Sequence, residues 1–235
     1  MAKIWYLGHS CFVIEIDGVK ILTDPFIMDN PLAKNIALAT IDADIILVSH
    51  GHGDHISDLL LLAKQTKAMV VSNFEITTWV EKQGYQKVHP MNIGGNKRFN
   101  SVEVKMVNAI HSSSFPDGSY AGNPGGFVIK GEKESVYFAG DTSLHFDMKL
   151  IAEEFALAAA ILPLGDNFTM GVDDAVKAAK WVNCNRIIGM HYNTFGYIQI
   201  DEAQAIQKFK SEGMQLDLMT IGSRIEVETN ILTSK

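Results

Sequence analysis

The chain has 235 residues, of which 47% are hydrophobic, and this composition excludes an intrinsically disordered protein. Its formal net charge of −7 gives no general attraction for a phosphodiester backbone, so we expect no nucleic-acid partner. Residues 1–6 lack the basic region and apolar run of a secretory signal peptide, and the apolar stretch at residues 155–164 is too short to cross a bilayer. We therefore expect a cytoplasmic protein without membrane insertion.

The first half of the chain predicts short strands followed by alternating helices and strands. Residues 3–7, 11–16 and 20–23 have the pattern of antiparallel strands, and Asp17-Gly18 predicts the turn between the last two. The apolar run at residues 45–48 is typical of a strand buried on both faces, so we predict a strand over residues 44–49. Further along, the pattern predicts helices at residues 58–66 and 75–83 and strands at residues 68–72 and 101–109.

The second half repeats this alternation. Its predicted strands cover residues 126–130, 135–139, 158–163, 186–190 and 224–228, and its predicted helices cover residues 149–154, 172–183 and 201–212. No linker-like or low-complexity segment divides the chain. We therefore expect a single domain over residues 1–235, made of two similar halves.

The densest group of metal-ligand side chains is the hexapeptide His50-Gly51-His52-Gly53-Asp54-His55. Side chains two residues apart on extended backbone point the same way, so His50 and His52 can share one ion while Asp54 and His55 turn toward a second. The two glycines lack a Cβ and allow the backbone to bend tightly between the ligands. The hexapeptide makes a metal-dependent enzyme the leading hypothesis.

Three more ligand-type residues directly follow predicted strands, where α/β folds place their chemistry. These three residues are His111, Asp141 and His191. With the hexapeptide they complete a two-ion set, in which one ion is held by His50, His52 and His111, the other by Asp54, His55 and His191, and Asp141 bridges the two. Two neighbouring cations can share a hydroxide of lowered pKa and stabilise the charge that develops on an ester or phosphodiester. We prefer zinc because the set is rich in histidine, with Mn, Fe, Ni and Co as alternatives.

The motifs resemble those of the metallo-β-lactamase superfamily in type and in order. His50 to His55 is similar to its HxHxDH motif, and Thr23-Asp24-Pro25, His111, Gly140-Asp141-Thr142 and His191 resemble its other motifs. The resemblance implies an α/β fold, the αββα four-layer sandwich, with the metals at one edge. It does not imply a substrate.

Two further segments, residues 7–12 and 165–171, more specifically resemble a family of small bacterial metal-dependent hydrolases. That family is related to ascorbate-6-phosphate lactonases and to the phospholipase-D-type enzymes that cleave N-acylethanolamine phospholipids.

Several other polar residues are candidates for the site. We favour Asp24 as the carboxylate that anchors a ligand imidazole, over a plain turn residue. His9 follows a strand and is either an active-site group that contacts the substrate or a turn histidine. Asp166, Asn167 and Thr169 precede a helix and either contact an anionic substrate group or cap the helix. We expect His145 on the surface and His89 in a loop, and residues 112–123 form either a lid or an ordinary loop.

The hypothesis that follows is a metal-dependent hydrolase in which a metal-bridging hydroxide cleaves a small ester, lactone or phosphodiester, with Asp54 as catalytic residue that orients or deprotonates the nucleophile. The expected partner is a small-molecule substrate. Two alternatives stay open: a nuclease of the same fold, and a non-catalytic metal-containing interaction or sensor protein. The oligomeric state, a homo-oligomer included, is open as well.

Overall fold

The computed structural model describes residues 1–229 and contains fourteen strands and six α-helices in that part of the chain. The strands are β1 (Ala2–Gly8), β2 (Cys11–Ile16), β3 (Val19–Thr23), β4 (Ile45–Leu47), β5 (Met69–Asn73), β6 (Val88–Met91), β7 (Asn96–Phe99), β8 (Val102–Asn108), β9 (Gly125–Lys130), β10 (Ser135–Phe138), β11 (Ala159–Pro163), β12 (Arg186–Met190), β13 (Gln215–Asp217) and β14 (Arg224–Val227). The helices are α1 (Gly53–Ile56), α2 (Leu59–Thr66), α3 (Phe74–Lys82), α4 (Met148–Glu154), α5 (Val172–Trp181) and α6 (Glu202–Ser211).

The strands form two seven-stranded mixed sheets of similar design. The first has the order β14-β1-β2-β3-β4-β5-β6 and the second β13-β12-β11-β10-β9-β8-β7. In each sheet, neighbours at one end pair antiparallel, and four successive strands pair parallel: β3 to β6 in the first and β10 to β13 in the second. The sheets do not divide the chain where the sequence suggested, because β8, predicted in the first half, lies in the second sheet and β14, predicted in the second half, pairs with β1 in the first.

Alternation along the strands decides which face of the first sheet meets the second. On β2, Phe12 and Ile14 enter a core cluster that also contains Phe127 and Phe138 of the second sheet, whereas Val13 points to the other side. Successive side chains of a strand lie on opposite faces, so one face of this sheet lies against the second sheet and the other lies against helices.

Helices cover both outer faces of the sandwich. Leu62 of α2 and Val80 of α3 belong to the cluster on the outer side of the first sheet. Ala178 of α5 and Phe209 of α6 are buried in the cluster of the second sheet. The expected α/β fold, a four-layer αββα sandwich, is confirmed. Within residues 1–229 no helix is both long and apolar enough to cross a membrane. The single domain over residues 1–235 stays a prediction, because its last six residues lie outside the described part.

The strands that the sequence analysis missed are short or polar. β6 contains His89 and Pro90, β7 is the polar segment Asn96–Phe99, and β13 has three residues. The loop expected at His89 is wrong, because this residue pairs with Val71 of β5. Pro90 is tolerated because β6 is the last strand of its sheet, where an amide hydrogen is not required on the open side.

The topology brings the ends of several strands to one edge of the sandwich. Asp24 follows β3, Asp141 closely follows β10, and His191 follows β12. Within each sheet these strands run in the same direction, so the residues that follow them gather at the same edge. We call this the ligand edge.

Candidate metal centre

The first cluster of ligand atoms at the ligand edge contains His50, His52 and His111, whose candidate donor atoms all lie within 4.8 Å of one another. The His50 Nε2 and His52 Nδ1 atoms are 2.9 Å apart. Extended backbone at His52 (φ −65°, ψ 149°) keeps both side chains on the same side, as the motif spacing predicts. His50 is buried, and His52 and His111 are half-buried.

The second cluster contains Asp54, His55, His191 and also His9, again with donor atoms within 4.8 Å. Helix α1 begins at Gly53, directly after His52, and this change of backbone direction places Asp54 and His55 in the second cluster, although the His55 ring centroid remains 4.1 Å from that of His50. The sequence analysis did not predict this four-residue helix. The helical turn nevertheless groups Asp54 with His55 and His50 with His52, as the expected bend does, while His50 and His55 also form a third group of donor atoms with Asp24.

Asp141 lies between the two clusters. Its Oδ2 atom is 2.9 Å from Nε2 of His191 and 3.4 Å from Nε2 of His55 in the second cluster. The same oxygen is 3.6 Å from Nε2 of His111 in the first. The structure thus brings together all seven residues predicted as ligands, and the Asp141 carboxylate reaches both groups.

The chemistry of the buried atoms fits bound divalent cations. Among the described residues, His55 Nε2 and Asp141 Oδ1 are buried without a hydrogen-bond partner, and unsatisfied buried polar atoms are costly. Burial alone would raise the pKa of Asp141, but the adjacent His191 and His55 imidazoles hold it well below its usual range. Burial lowers the pKa of His50 well below its usual range and so favours the neutral imidazole that binds metals. These His and Asp donors suit zinc and other divalent transition metals.

A buried hydrogen-bond network orients two of the imidazoles. Asp24 accepts a hydrogen bond from His55 Nδ1 (2.8 Å) and from the Ser49 hydroxyl (2.6 Å). Because this hydroxyl donates to Asp24, its oxygen is free to accept from His50 Nδ1 at 2.9 Å. Both histidines therefore turn Nε2 toward the clusters. Asp24 contacts a ligand imidazole as expected, and Ser49 is a residue that the sequence analysis missed.

Backbone strain is concentrated at the ligand edge. Of the ten non-glycine residues with positive φ among residues 1–229, six lie in its loops. They include His9 (φ 56°), Asp24 (φ 35°) and His191 (φ 53°). Residues with side chains rarely adopt this region, and such strain persists where the surrounding structure imposes it, often at functional sites.

His9 lies behind the second cluster and does not line its open side. Its side chain has no exposed surface, and its ring centroid is 4.2 Å from that of His191. Its Nε2 is 3.2 Å from Asp54 Oδ2 and its Nδ1 is 2.9 Å from the hydroxyl of Thr194, which the sequence analysis missed. Burial lowers the pKa of His9 to about 4. His9 is an active-site group by position, but it is not placed to contact a substrate.

The loop between β11 and α5 carries the other predicted substrate contacts. Asp166 and Asn167 are exposed and Thr169 is half-buried. Met170 of this loop donates its backbone N–H to the carbonyl of Thr142, the residue after Asp141, so the loop borders the centre. Helix α5 has Gly171 as its N-cap and no side-chain capping bond, so the capping alternative for these three residues is wrong. Their contact with a substrate stays a prediction.

The surface position expected for His145 is wrong, because only 8% of this residue is exposed. Its loop folds back on the end of β8: Ser143 donates its backbone N–H to Ile110, and Asn108 donates its side-chain amide to Asp147. These contacts come from residues about 35 positions away, which no local pattern reveals.

Residues 112–123 pack directly on the HxHxDH motif. Ser113 Oγ accepts the Gly51 N–H at 3.2 Å, and Ser112 Oγ lies 3.4 Å from His52 Nε2. A Cβ at Gly51 would overlap the side chain of Ala121, so this position requires glycine.

Three exposed aromatic side chains, also missed in the sequence, lie on neighbouring loops: Phe168, Phe195 and Tyr197.

Comparison with known proteins supports the relationship that the motifs indicated. A family model described as "Beta-lactamase superfamily domain" matches residues 3–191. The chain is 52% identical over 225 residues to a UPF0173 metal-dependent hydrolase of Flavobacterium johnsoniae, which covers 96% of this chain and 100% of that protein. It is 45% identical over 214 residues to a UPF0173 metal-dependent hydrolase of Bacillus cereus, covering 89% and 93%.

A solved structure of a metallo hydrolase has a similar fold and a related sequence. The protein Igni18 of Ignicoccus hospitalis, described as a novel metallo hydrolase, matches with a TM-score of 0.87 and 34% identity over 95% of this chain and 97% of that chain. Family model, relatives and fold all agree. The chain therefore belongs to the metallo-β-lactamase superfamily and, within it, to the UPF0173 metal-dependent hydrolases.

Proposed function

We propose that this metal-dependent hydrolase uses two metal ions to cleave a small ester, lactone or phosphodiester by attack of an activated water. The observation that carries the proposal is the position of Asp141 Oδ2, within 2.9–3.6 Å of imidazole nitrogens from both clusters. His50, His52 and His111 would hold one ion, Asp54, His55 and His191 the other, and Asp141 would bridge them. Bound together, two cations lower the pKa of water and polarise the oxygen of the electrophile.

The protein's own groups supply orientation and an acceptor for the proton. The side chain of Asp54 is 29% exposed, whereas those of Asp24 and Asp141 are almost fully buried. Burial would raise the pKa of Asp54, but His55 and His9 lower it strongly, so Asp54 stays ionised. Asp54 is therefore the carboxylate that water and substrate can reach, and its proposed role is to orient or deprotonate the nucleophile.

Zinc is the preferred metal in this proposal because imidazole provides most of the donors, with Mn, Fe, Ni and Co as alternatives. The proposed partner is a small molecule that enters beside His52, His111 and Asp54, the more exposed members of the centre. The net charge of −7 disfavours the nuclease alternative, which depends on electrostatic attraction to phosphates.

The test is elemental analysis of the purified protein beside the double variant His52→Ala/His191→Ala, with His89→Ala as a matched control outside the centre. The same samples are assayed with a lactone panel, a chromogenic phosphodiester and RNA. We expect about two metals per chain in the parent and the control, and loss of metal and activity in the double variant. No metal in the parent after reconstitution with Zn or Mn would refute the proposal. Salt-sensitive RNA cleavage as the main activity would favour the nuclease.

A further inference from the structure

A buried hydrogen-bond chain leads from the loop after β12 to the exposed carboxylate of the centre. Thr194 Oγ1 lies 2.9 Å from His9 Nδ1, and His9 Nε2 lies 3.2 Å from Asp54 Oδ2. Thr194 and His9 are both buried. The chain joins segments that are 185 and 45 residues apart in sequence.

The chemistry of the three groups determines the direction of the hydrogen bonds. An ionised carboxylate only accepts hydrogen bonds, so His9 Nε2 carries the ring proton and donates a hydrogen bond to Asp54. In the neutral ring Nδ1 is then an acceptor, and the Thr194 hydroxyl donates to it at 2.9 Å rather than to the Tyr192 carbonyl, which lies 3.4 Å away. Thr194 thereby selects the tautomer and the ring orientation that His9 needs.

The backbone also holds the His9 ring in place. His191 donates its backbone N–H to the His9 carbonyl at 3.1 Å, and the Tyr6 hydroxyl reaches the same carbonyl at 3.4 Å. His9 itself has a left-handed conformation (φ 56°), which these contacts impose. The ring is therefore fixed relative to His191, a proposed ligand.

Asp54 has little other support. It lies in the first turn of the four-residue helix α1, and within residues 1–229 the one hydrogen bond found on its side chain comes from His9. Asp24, by contrast, accepts bonds from the Ser49 backbone, the Ser49 hydroxyl and His55. A carboxylate oxygen has more than one lone pair, so Asp54 Oδ2 can accept from His9 and still face the cluster.

We propose that His9, oriented by Thr194, is a positioning residue that holds the Asp54 carboxylate in place for the second ion. This proposal rests on the two-ion centre of the proposed function, and it replaces the substrate contact that the sequence suggested for His9. Because the His9 side chain also lies within 4.8 Å of other donors, the rival role is direct ligation of the metal.

The test measures metal affinity in His9→Leu, His9→Gln, Thr194→Val and Thr194→Ser by Co²⁺ titration, following the visible spectrum. His9→Leu removes the bond to Asp54. We therefore expect the Co²⁺ ion of the second cluster to bind about 10-fold to 100-fold more weakly, while the Co²⁺ ion of the first cluster binds unchanged. His9→Gln keeps an N–H donor and should recover most of the affinity. Thr194→Val should weaken the same ion by a smaller factor and Thr194→Ser should restore it.

Three results would overturn the proposal. One is a His9→Leu protein that binds both ions with parental affinity and spectrum. Another is loss of a whole equivalent in both His9 variants with no effect of Thr194→Val, because that pattern identifies His9 as a ligand. The third is a parent protein that binds fewer than two ions.

Two controls keep the test decisive. Thermal unfolding is measured for each variant. If a His9 variant does not fold, the nearly isosteric Thr194→Val and the hydroxyl-retaining Thr194→Ser carry the test. Failure of the proposed function is seen separately. A parent that binds two ions but hydrolyses nothing in the panel refutes the hydrolysis proposal, while the affinity differences still decide the role of His9.

Discussion

The two ligand clusters are built in different ways. Two members of the first, His50 and His52, are two residues apart, and their side chains converge through extended local backbone. The second depends on hydrogen bonds from distant segments: His55 to Asp24 across 31 residues and Asp54 to His9 across 45 residues. Local spacing thus suffices to bring His50 and His52 together, whereas His55 and Asp54 are oriented by side chains that the tertiary structure supplies.

The largest expected effect comes from the residue that reaches both clusters. Asp141→Ala removes the oxygen near His191, His55 and His111, so both clusters lose the carboxylate that reaches them. We expect fewer than two bound metals and a fall in kcat/KM on the order of 10³-fold. Metal analysis and kinetics measure this, with Asp173→Asn, a substitution of an exposed side chain in α5, as control. Two tightly bound metals in Asp141→Ala would show that each cluster holds its ion unaided.

The next effect separates the clusters. Asp24→Asn keeps the shape of the side chain and tolerates the positive φ, but it exchanges the carboxylate that accepts from His55 and Ser49 for a neutral amide. We expect the second metal to bind about 10-fold to 100-fold more weakly, with a smaller effect on the first. Competition with a chromophoric chelator gives the two constants. If the affinities of both metal ions fell equally, the hydrogen bonds of Asp24 would stabilise both clusters to the same extent, which contradicts the prediction.

A third prediction uses two glycines of the same motif. A methyl group at Gly51 overlaps Ala121, whereas at Gly53 the nearest atom it meets is Pro116 Cγ at 4.0 Å. We expect Gly51→Ala to lower the free energy of unfolding by about 1–3 kcal/mol and to weaken the first metal, because the motif and residues 112–123 must separate. Gly53→Ala is the matched control and should change little. Chemical denaturation measures both variants, and equal effects would contradict the assigned packing.

The smallest effect concerns the side chain that links the clusters. Ser49→Ala removes the hydroxyl between His50 and Asp24 but keeps the backbone bond from Ser49 N to Asp24 at 2.7 Å. We expect a loss of about 1 kcal/mol in unfolding free energy. Both metals should bind less than about 10-fold more weakly. Denaturation and metal competition test this, and a change confined to one ion would show that Ser49 serves only one cluster.

Residue patterns alone predicted the fold class and the candidate ligands that the structure brings together. Alternating and continuous apolar runs predicted most strands, because the residues on one face of a strand recur at every second position. In β2, Phe12 and Ile14 face one side of the sheet and Val13 faces the other. The motif spacing also predicted the division of His50, His52, Asp54 and His55, since backbone direction over six residues decides where these side chains point.

The groups that support the candidate ligands from behind depend on tertiary contacts. Local patterns did not reveal the burial of His145 or the bond between His9 and Thr194, because each depends on residues far away in the chain. They also missed β7, which pairs with the adjacent β8 but lacks the apolar alternation of a strand. A hydrogen bond across 185 residues forms when two sheets meet at one edge, and no window of sequence contains both partners. Short-range periodicity therefore predicts the helices and strands. The hydrogen bonds that orient the candidate ligands form only where loops of both sheets meet at the ligand edge.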